Sequence, residues 1–203
     1  MIAVVSYGVG NVGSIFSMLR RIGVPAVAAS TPDDIAAAEK IILPGVGSFD
    51  HGMATLRASG LVEPLLERVR RDRIPVLGIC LGMQFLGAGS EEGSLPGLGF
   101  LDARCVRFSA EGTPPLKVPH MGWNELAFRR PSLLTDGLED CARFYFVHSY
   151  RLVCADERDV LATAHYGVDF TAMVQRDNVW GAQFHPEKSH RFGMKLLGNF
   201  GRL

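Results

Sequence analysis

Apolar and polar residues alternate along the first half of the chain in blocks that predict strands and helices in turn. Short apolar runs predict strands at residues 2–7, 25–29, 40–43 and 76–79. Helices are predicted between them at residues 12–22, 52–56, 61–71 and 81–86, and Thr31 followed by Pro32 is typical of the start of another. This order predicts parallel strands joined by right-handed crossovers, with helices on both faces of the sheet.

The second half of the chain has a different pattern, with short β-rich runs separated by turn residues. These runs lie at residues 103–108, 143–148, 150–154, 160–164, 170–174 and 179–184, after a polar, glycine-rich loop at 90–99. A last amphipathic helix is predicted from about residue 189. The sequence therefore predicts an α/β protein with a flavodoxin-like open mixed sheet, mainly parallel, helices on both faces, and antiparallel hairpins in the second half. Without a linker or repeat, residues 1–203 are expected to form a single domain.

The composition of the chain argues against several classes of protein. The formal net charge is zero, so the chain lacks the electrostatic footprint of a nucleic-acid or membrane-surface protein. Its apolar runs are too short to span a membrane. The four cysteines have no C-x-x-C spacing, which argues against a zinc site or a dithiol motif, and the start of the chain has no basic signal region. We expect a cytoplasmic protein with free thiols and no metal.

A glycine pattern near the start of the chain resembles a dinucleotide-binding loop, but we reject that interpretation. Gly8, Gly10 and Gly13 fit the spacing G-x-G-x-x-G. No acidic residue ends the second predicted strand, where such a site would hold the ribose hydroxyl groups, and an isolated match of this kind is weak. We therefore expect no cofactor.

The most informative stretch is Val76-Leu77-Gly78-Ile79-Cys80-Leu81-Gly82-Met83-Gln84. It places a cysteine on a glycine-flanked turn between a buried strand and a helix, as in the nucleophile elbow of serine hydrolases. The N-terminus of the helix favours the thiolate over the thiol. The alternative is an inert buried cysteine, which is the more common state of a free thiol.

Two further segments supply what a nucleophilic cysteine needs. In His185-Pro186-Glu187, the proline restrains the histidine, and the carboxylate can orient the imidazole as a general base. The loop Pro44-Gly45-Val46-Gly47 can direct backbone N–H groups towards an oxyanion. Taken singly, each segment could be structural: a strand end with a helix cap, and a strand-to-helix turn. Their joint occurrence with the cysteine elbow favours catalysis.

These three segments resemble those of the class I glutamine amidotransferases, in the same order along the chain. Within that class, Tyr7-Gly8-Val9-Gly10-Asn11, Pro119-His120-Met121-Gly122-Trp123-Asn124 and Tyr145-Phe146-Val147-His148-Ser149-Tyr150 resemble the glutaminase subunits of imidazole glycerol phosphate synthase, an enzyme of histidine biosynthesis. The resemblance implies that Cys80 attacks glutamine, that His185 moves the proton, and that Glu187 orients His185. It also implies an oxyanion site at the backbone of Gly47 and Leu81.

The resemblance further implies a substrate site and a partner. Glutamine contacts are expected from Gln84, Glu92, Ser149 and Tyr150, with the Glu92 carboxylate suited to the α-ammonium group. The partner is expected to be a (β/α)₈-barrel cyclase subunit that receives the ammonia. Its interface candidates are Asn11, Trp123, Asn124, Tyr145 and Lys188. Two of these, Trp123 and Tyr145, are of types common at interfaces, although partial burial in the core is the alternative for both.

Two other functions compete with this interpretation. One is the glutaminase of another class I amidotransferase, such as anthranilate synthase or pyridoxal phosphate synthase, which the segment from Pro119 to Asn124 disfavours. The other is a non-catalytic flavodoxin-like protein in which Cys80 is merely a reactive thiol. Such a protein would have no use for His185-Pro186-Glu187.

Overall fold

The computed structural model describes residues 1–109, 116–138 and 141–203. Its strands are β1 (Ile2–Val5), β2 (Ala26–Ala29), β3 (Lys40–Gly45), β4 (Val76–Cys80), β5 (Gly89–Ser90), β6 (Ala103–Arg107), β7 (His120–Glu125), β8 (Ala127–Phe128), β9 (Arg143–His148), β10 (Tyr150–Cys154), β11 (Val160–Tyr166), β12 (Val168–Arg176) and β13 (Val179–Ala182). Its α-helices are α1 (Val12–Arg21), α2 (Pro32–Ala36), α3 (Phe49–Ala58), α4 (Val62–Arg70), α5 (Leu81–Phe85) and α6 (His190–Arg202). Short 3₁₀ helices lie at Leu133–Thr135, Glu157–Asp159 and Pro186–Lys188.

A parallel sheet forms the centre of the fold, as predicted. Its strands lie in the order β2-β1-β3-β4-β13, and every neighbouring pair in this group is parallel. Counting β13 as the fifth strand, this is the flavodoxin-like order 2-1-3-4-5. The sheet continues through β12, β10 and β6 by antiparallel pairing. The carboxyl ends of the parallel strands therefore meet at one edge, where a ligand site is expected.

Both faces of the sheet are covered. Along β1 every residue is buried, and successive side chains belong to different core clusters: Ile2 and Val4 to one, Ala3 and Val5 to the other. This division follows from the two-residue period of a strand. Helices α1 and α6 pack in the first cluster, whereas α2, α3, α4 and α5 pack in the second. In the parts of the chain that the structure describes, no helix is both long and apolar enough to cross a bilayer.

One pair of strands departs from the predicted arrangement. We expected the β-rich runs of the second half to extend a single sheet, but β9 pairs with β7 in a separate two-stranded sheet. Strand β7 was not predicted as a strand. Gly122 interrupts it, and the polar residues His120 and Asn124 occupy positions where an alternating pattern requires apolar ones. Because their partners lie on other strands, no local pattern could show how these polar groups are satisfied.

The starts of helices α2 and α3 differ in how well the local sequence predicts them. Helix α2 begins as predicted: the Thr31 hydroxyl accepts from the Asp34 N–H, and the Asp34 carboxylate accepts from the Thr31 N–H. Helix α3 begins at Phe49, three residues before the predicted position. The Phe49 N–H donates to the Glu92 carboxylate at 2.8 Å, so its cap comes from a distant loop.

Candidate active site

Cys80 lies on a strained turn at the carboxyl end of β4. Its backbone has φ 55° and ψ −111°, a conformation that is costly for a residue with a side chain, and α5 begins at the next residue. The glycines around it are required for close packing. A Cβ atom on Gly82 would lie 1.8 Å from the Leu43 carbonyl oxygen, and one on Gly78 would lie 2.6 Å from the Gly82 carbonyl oxygen. The sharp turn predicted from the sequence is confirmed.

His185 reaches this turn from the adjacent strand. Strand β13 runs parallel to β4 with Ala182 opposite Ile79, and His185 follows three residues later at the same edge. The His185 N–H donates to the Tyr145 carbonyl at 2.9 Å, and the His185 carbonyl accepts from Ser189 Oγ at 2.6 Å. These backbone contacts fix the position of the imidazole.

The imidazole lies between a carboxylate and the thiol. His185 Nδ1 and Glu187 Oε1 are 2.8 Å apart, and both side chains are almost fully buried. Burial of the ring opposes its protonation. Interactions with the Cys80 thiol and with Glu187 outweigh that effect and raise the pKa of His185 to about 10. The ring is therefore an imidazolium at neutral pH, and it lines the same cavity as the Cys80 thiol.

The glycine loop after β3 lies beside the elbow. Gly45 pairs with Cys80 across the parallel strands, and Gly47 has a φ of 92°, which suits glycine. The Tyr7 hydroxyl donates to the Pro44 carbonyl at 2.8 Å and so ties the start of the loop to the segment after β1. Burial, together with the nearby Cys80, raises the pKa of Tyr7, which therefore stays protonated and can donate.

A cavity of about 340 Å³ opens onto the thiol. It brings together the predicted catalytic cysteine and histidine, both predicted oxyanion residues and all four predicted substrate residues: Gly47, Cys80, Leu81, Gln84, Glu92, Ser149, Tyr150 and His185. Glu187 lies behind His185, outside this lining. The cavity is large enough for a small amino acid, and these residues come from five separate segments of the chain.

The predicted substrate residues already have partners in the protein. Gln84 Nε2 donates to the Tyr150 carbonyl at 3.4 Å and to Gln183 Oε1 at 3.1 Å. Glu92 caps helix α3 through Phe49 and also lines the cavity. Its carboxylate therefore has a structural role that the sequence did not indicate, and the same charge remains available to a cation in the cavity.

Gln183 is a site residue that the sequence analysis did not identify. Its side chain is fully buried, and its Nε2 lies 3.8 Å from Cys80 Sγ, within hydrogen-bonding range of sulfur. The position of Gln183 two residues before His185 was the available signal. An amide in a run that otherwise has the pattern of a buried strand needs a polar partner.

The predicted interface residues have different surroundings in the structure. Asn11 Nδ2 donates to Glu187 Oε1 at 3.3 Å, so Asn11 touches the candidate triad. Trp123 is 47% exposed and stacks on His190, with its ring edge-on to Tyr145. Lys188 Nζ lies 5.6 Å from the centre of the Tyr145 ring, a cation–π distance. Asn124, by contrast, uses its amide within the protein: Nδ2 donates to the His165 carbonyl at 2.8 Å.

Metal ligation finds no support in residues 1–109, 116–138 and 141–203, where no cluster of three or more histidine, cysteine or acidic side chains could hold an ion. None of the four cysteines, all of which lie in the described part of the chain, forms a disulfide bond. The cavity presents a buried cysteine and an imidazole oriented by Glu187.

Comparisons with known proteins agree with this geometry. A family model described as "Glutamine amidotransferase class-I" matches residues 3–202. The chain is 54% identical to "Imidazole glycerol phosphate synthase subunit HisH 2" of Pseudomonas aeruginosa, over 100% of both chains. It is 50% identical to the protein of the same name from Methanococcus maripaludis, over 98% of both.

Solved structures support the fold. The chain resembles "Structure of PurLQS from Thermotoga maritima" with a TM-score of 0.75 and 21% identity, covering 98% of this chain and 96% of that one. A structure described as "Crystal structure of glutamine amidotransferase" gives a TM-score of 0.67 and 22% identity, covering 98% and 100%. The full-length match to the family model and the high identity to HisH proteins decide the family. The chain belongs to the class I glutamine amidotransferases and, within them, to the HisH subunits of imidazole glycerol phosphate synthase.

Proposed function

We propose that this protein is the glutaminase subunit of an imidazole glycerol phosphate synthase and that Cys80, His185 and Glu187 are its catalytic triad. The observation that carries the proposal is the position of His185, which bonds to Glu187 through Nδ1 and lines, together with Cys80, a cavity of amino-acid size. The product ammonia goes to a cyclase subunit for histidine biosynthesis. Residues 1–203 act as one amidotransferase domain.

In the first half-reaction, the Cys80 thiolate attacks the side-chain carbonyl carbon of glutamine. The carbonyl oxygen becomes an oxyanion held by the backbone N–H groups of Gly47 and Leu81. As the C–N bond breaks, the proton of the His185 imidazolium passes to the departing nitrogen. Ammonia leaves, and a γ-glutamyl thioester remains on Cys80.

In the second half-reaction, water attacks the thioester and gives a proton to the now neutral His185. The C–S bond breaks, glutamate leaves, and the thiolate–imidazolium pair is restored. Throughout, Glu187 holds Nδ1 of the ring and stabilises its positive charge. Gln183 Nε2, at 3.8 Å from Cys80 Sγ, supports the anionic sulfur. The net reaction converts glutamine and water to glutamate and ammonia.

Glutamine lies in the cavity with its side-chain amide at Cys80 and its α-carbon groups at the far end. The Glu92 carboxylate binds the α-ammonium group, and Gln84 with the backbone at Ser149 and Tyr150 binds the rest. All four residues line the same cavity as the thiol, which supports this orientation. The reaction needs no cofactor.

The partner is a (β/α)₈-barrel cyclase subunit that docks over the exposed Trp123 and the neighbouring Tyr145 and Lys188, with Asn11 and Asn124 at the same interface. Support comes from the exposure of Trp123 and from its contacts, which join it to the segment that carries the triad. We place the complex in the cytoplasm, because four cysteines without a disulfide bond suit a reducing compartment.

The decisive experiment measures glutamate formation by the purified chain with and without its cognate cyclase subunit, for wild type and Cys80→Ala. We expect partner-dependent activity in wild type and none in Cys80→Ala. The matched control is Cys141→Ala, which changes an exposed cysteine outside the cavity and should remain active. Mass spectrometry of the acid-quenched wild type should find a glutamyl group on Cys80.

Two outcomes would contradict the proposal. Glutamate formation that persists in Cys80→Ala would exclude the thioester mechanism. Full activity of the wild type without a partner would contradict the assignment to a synthase, because it would release ammonia where no cyclase can use it.

A further inference from the structure

Two buried histidines stand beside the glutamine cavity and have no part in the reaction described above. His120 on β7 lies opposite His148 on β9 in the two-stranded sheet, and their side chains belong to residues only 3% and 6% exposed. The His120 ring stacks on Tyr166 at a centroid distance of 4.1 Å, and Phe170 packs against both histidines. His148 also lines the cavity.

The hydrogen bonds between these groups have only one consistent direction. His148 Nδ1 lies 2.8 Å from the Tyr150 carbonyl, which can only accept, so Nδ1 carries the hydrogen. Burial lowers the pKa of His120 to about 4 and that of His148 to about 3, so both rings are neutral at pH 7. His148 Nε2 is then an acceptor, and His120 Nδ1 donates to it at 3.1 Å.

The same reasoning fixes the next member of the chain. His120 Nε2 must be an acceptor, and Asn124 Nδ2 lies 3.4 Å from it. The amide orientation of Asn124 is determined independently, because its Oδ1 accepts from the Glu125 N–H at 2.9 Å. Hydrogen bonds therefore run from Asn124 through His120 and His148 to the Tyr150 carbonyl, with both rings in the Nδ1–H tautomer.

On the other side of the Tyr150 carbonyl the chain continues to the nucleophile. Gln84 Nε2 donates to this carbonyl at 3.4 Å and to Gln183 Oε1 at 3.1 Å, and Gln183 Nε2 donates to Cys80 Sγ. Because the Tyr150 carbonyl accepts from both directions, the network cannot carry a proton from end to end. What it can do is hold the wall of the cavity at a fixed position relative to the thiol.

We propose that His120 and His148 are positioning residues for glutamine, which hold the Tyr150 carbonyl and thereby Gln84 in place for the substrate. This inference rests on the proposed glutaminase function and adds two residues to it. They act on substrate binding, since His148 lines the cavity, His120 bonds to His148, and no bond from either to Cys80, His185 or Glu187 is found in the described part of the chain.

The kinetic test uses His120→Phe, which keeps a ring for the aromatic stack and removes both nitrogens. It leaves His148 Nε2 as a buried acceptor without a donor, so we expect the KM for glutamine to rise about tenfold with kcat changed less than about threefold. In a second variant, His120→Asn, the amide can still donate to His148, so its KM for glutamine should stay within about threefold of wild type. Tyr166→Phe, which removes only a hydroxyl bonded to the Lys117 carbonyl in the same cluster, is the matched control.

All variants are measured in the complex with the cyclase subunit. A KM for His120→Phe within about twofold of wild type, in a folded protein, would overturn the positioning role. So would an equal rise in the KM of Tyr166→Phe, because it would show a general loss of packing.

A second measurement does not depend on activity or on the folding of a variant. ¹⁵N NMR of wild-type imidazoles should show His120 and His148 as neutral Nδ1–H tautomers at pH 7. An Nε2–H tautomer or a charged ring at either position would overturn the hydrogen-bond chain. If wild type has no glutaminase activity, the proposed function fails while the NMR result still decides the tautomers, so the two failures can be told apart.

Discussion

Asn11 and Glu187 are 176 positions apart in the chain, yet Asn11 Nδ2 donates a hydrogen bond of 3.3 Å to Glu187 Oε1. The same oxygen accepts from His185 Nδ1, whereas Glu187 Oε2 is buried and has no partner among the described residues. The loop after β1 therefore helps to hold the carboxylate that orients the imidazole. Asn11, which the sequence suggested for the interface, therefore contacts the candidate triad. A partner that touches Asn11 would be one residue away from Glu187.

Substitutions in the triad should have graded effects. His185→Ala removes the group proposed to move the proton and should reduce kcat by about 10⁴-fold or more. Glu187→Gln keeps an acceptor for His185 Nδ1 but loses the charge that stabilises the imidazolium, so we expect a reduction of about a hundredfold. Steady-state glutaminase kinetics of the complex measure both. Equal and total loss in the two variants would instead indicate a structural role for Glu187.

Substitutions can separate the contact of Glu92 with helix α3 from its proposed role in binding glutamine. Glu92→Gln retains an oxygen that can accept from the Phe49 N–H, so stability should change by less than about 0.5 kcal/mol, while the lost charge should raise the KM for glutamine about tenfold or more. Glu92→Ala should raise the KM similarly and also cost about 1 kcal/mol of unfolding free energy. Urea denaturation and kinetics of both variants provide the measurement. An unchanged KM in Glu92→Gln would exclude the ammonium contact.

The elbow glycines should tolerate no side chain. Gly82→Ala would place a Cβ 1.8 Å from the Leu43 carbonyl oxygen, where backbone is packed on backbone, so we expect loss of more than about 4 kcal/mol or no folded protein. Gly13→Ala is the matched control in helix α1, where nothing lies within 4 Å of the added atom. It should stabilise the protein by about 0.5–1 kcal/mol. Equal stability of the two variants in urea would contradict the packing of the elbow.

Trp123 should carry much of the affinity for the partner. Its exposed ring is held by His190 and Tyr145, so it is already ordered before docking. Trp123→Ala should weaken the complex by about 2 kcal/mol, or about 30-fold in Kd, by titration calorimetry. Leu133→Ala truncates a residue that is 73% exposed on a separate 3₁₀ helix and should leave Kd unchanged. Equal effects in both variants would place the interface elsewhere.

The two buried histidines should make the protein sensitive to acid. In the unfolded chain a histidine binds a proton below about pH 6.5, whereas burial keeps His148 neutral down to about pH 3. The unfolded state therefore binds more protons in this window, and stability falls as the pH falls. When the pH is lowered from 7 to 4.5, the free energy of unfolding of His148→Asn should fall by up to about 2 kcal/mol less than that of wild type. In the control variant Tyr166→Phe, the free energy of unfolding should fall by as much as in wild type, as measured by urea denaturation at both pH values.

Local sequence was sufficient where a residue's role is set by its immediate neighbours. The alternation of apolar runs and amphipathic segments predicted the parallel strands, and Thr31 with Pro32 predicted the start of α2. The elbow at Cys80 was predicted from its flanking glycines, since each of them permits a contact between adjacent segments. In these cases the determining contacts lie within one strand–turn–helix unit.

Where the determining contact is distant, the sequence was insufficient. The start of α3 is set by Glu92, whose carboxylate arrives from a loop 43 residues later. Strand β7 was missed because His120 and Asn124 satisfy their polar groups on other segments. Gln183 was overlooked for the same reason. Its side chain hydrogen-bonds to both Gln84 and Cys80, and only the folded sheet brings these residues together.

The position of β13 has a consequence for the order in which the protein becomes active. This strand contains residues 179–182, yet it lies between β4 and β12 in the interior of the sheet, and His185 depends on it. A nascent chain on the ribosome carries the Cys80 thiol for about a hundred residues of synthesis before His185, its proposed base, is made. If Cys80 and His185 act as proposed, a partly made chain cannot split glutamine, and it releases no ammonia before the protein can meet its partner.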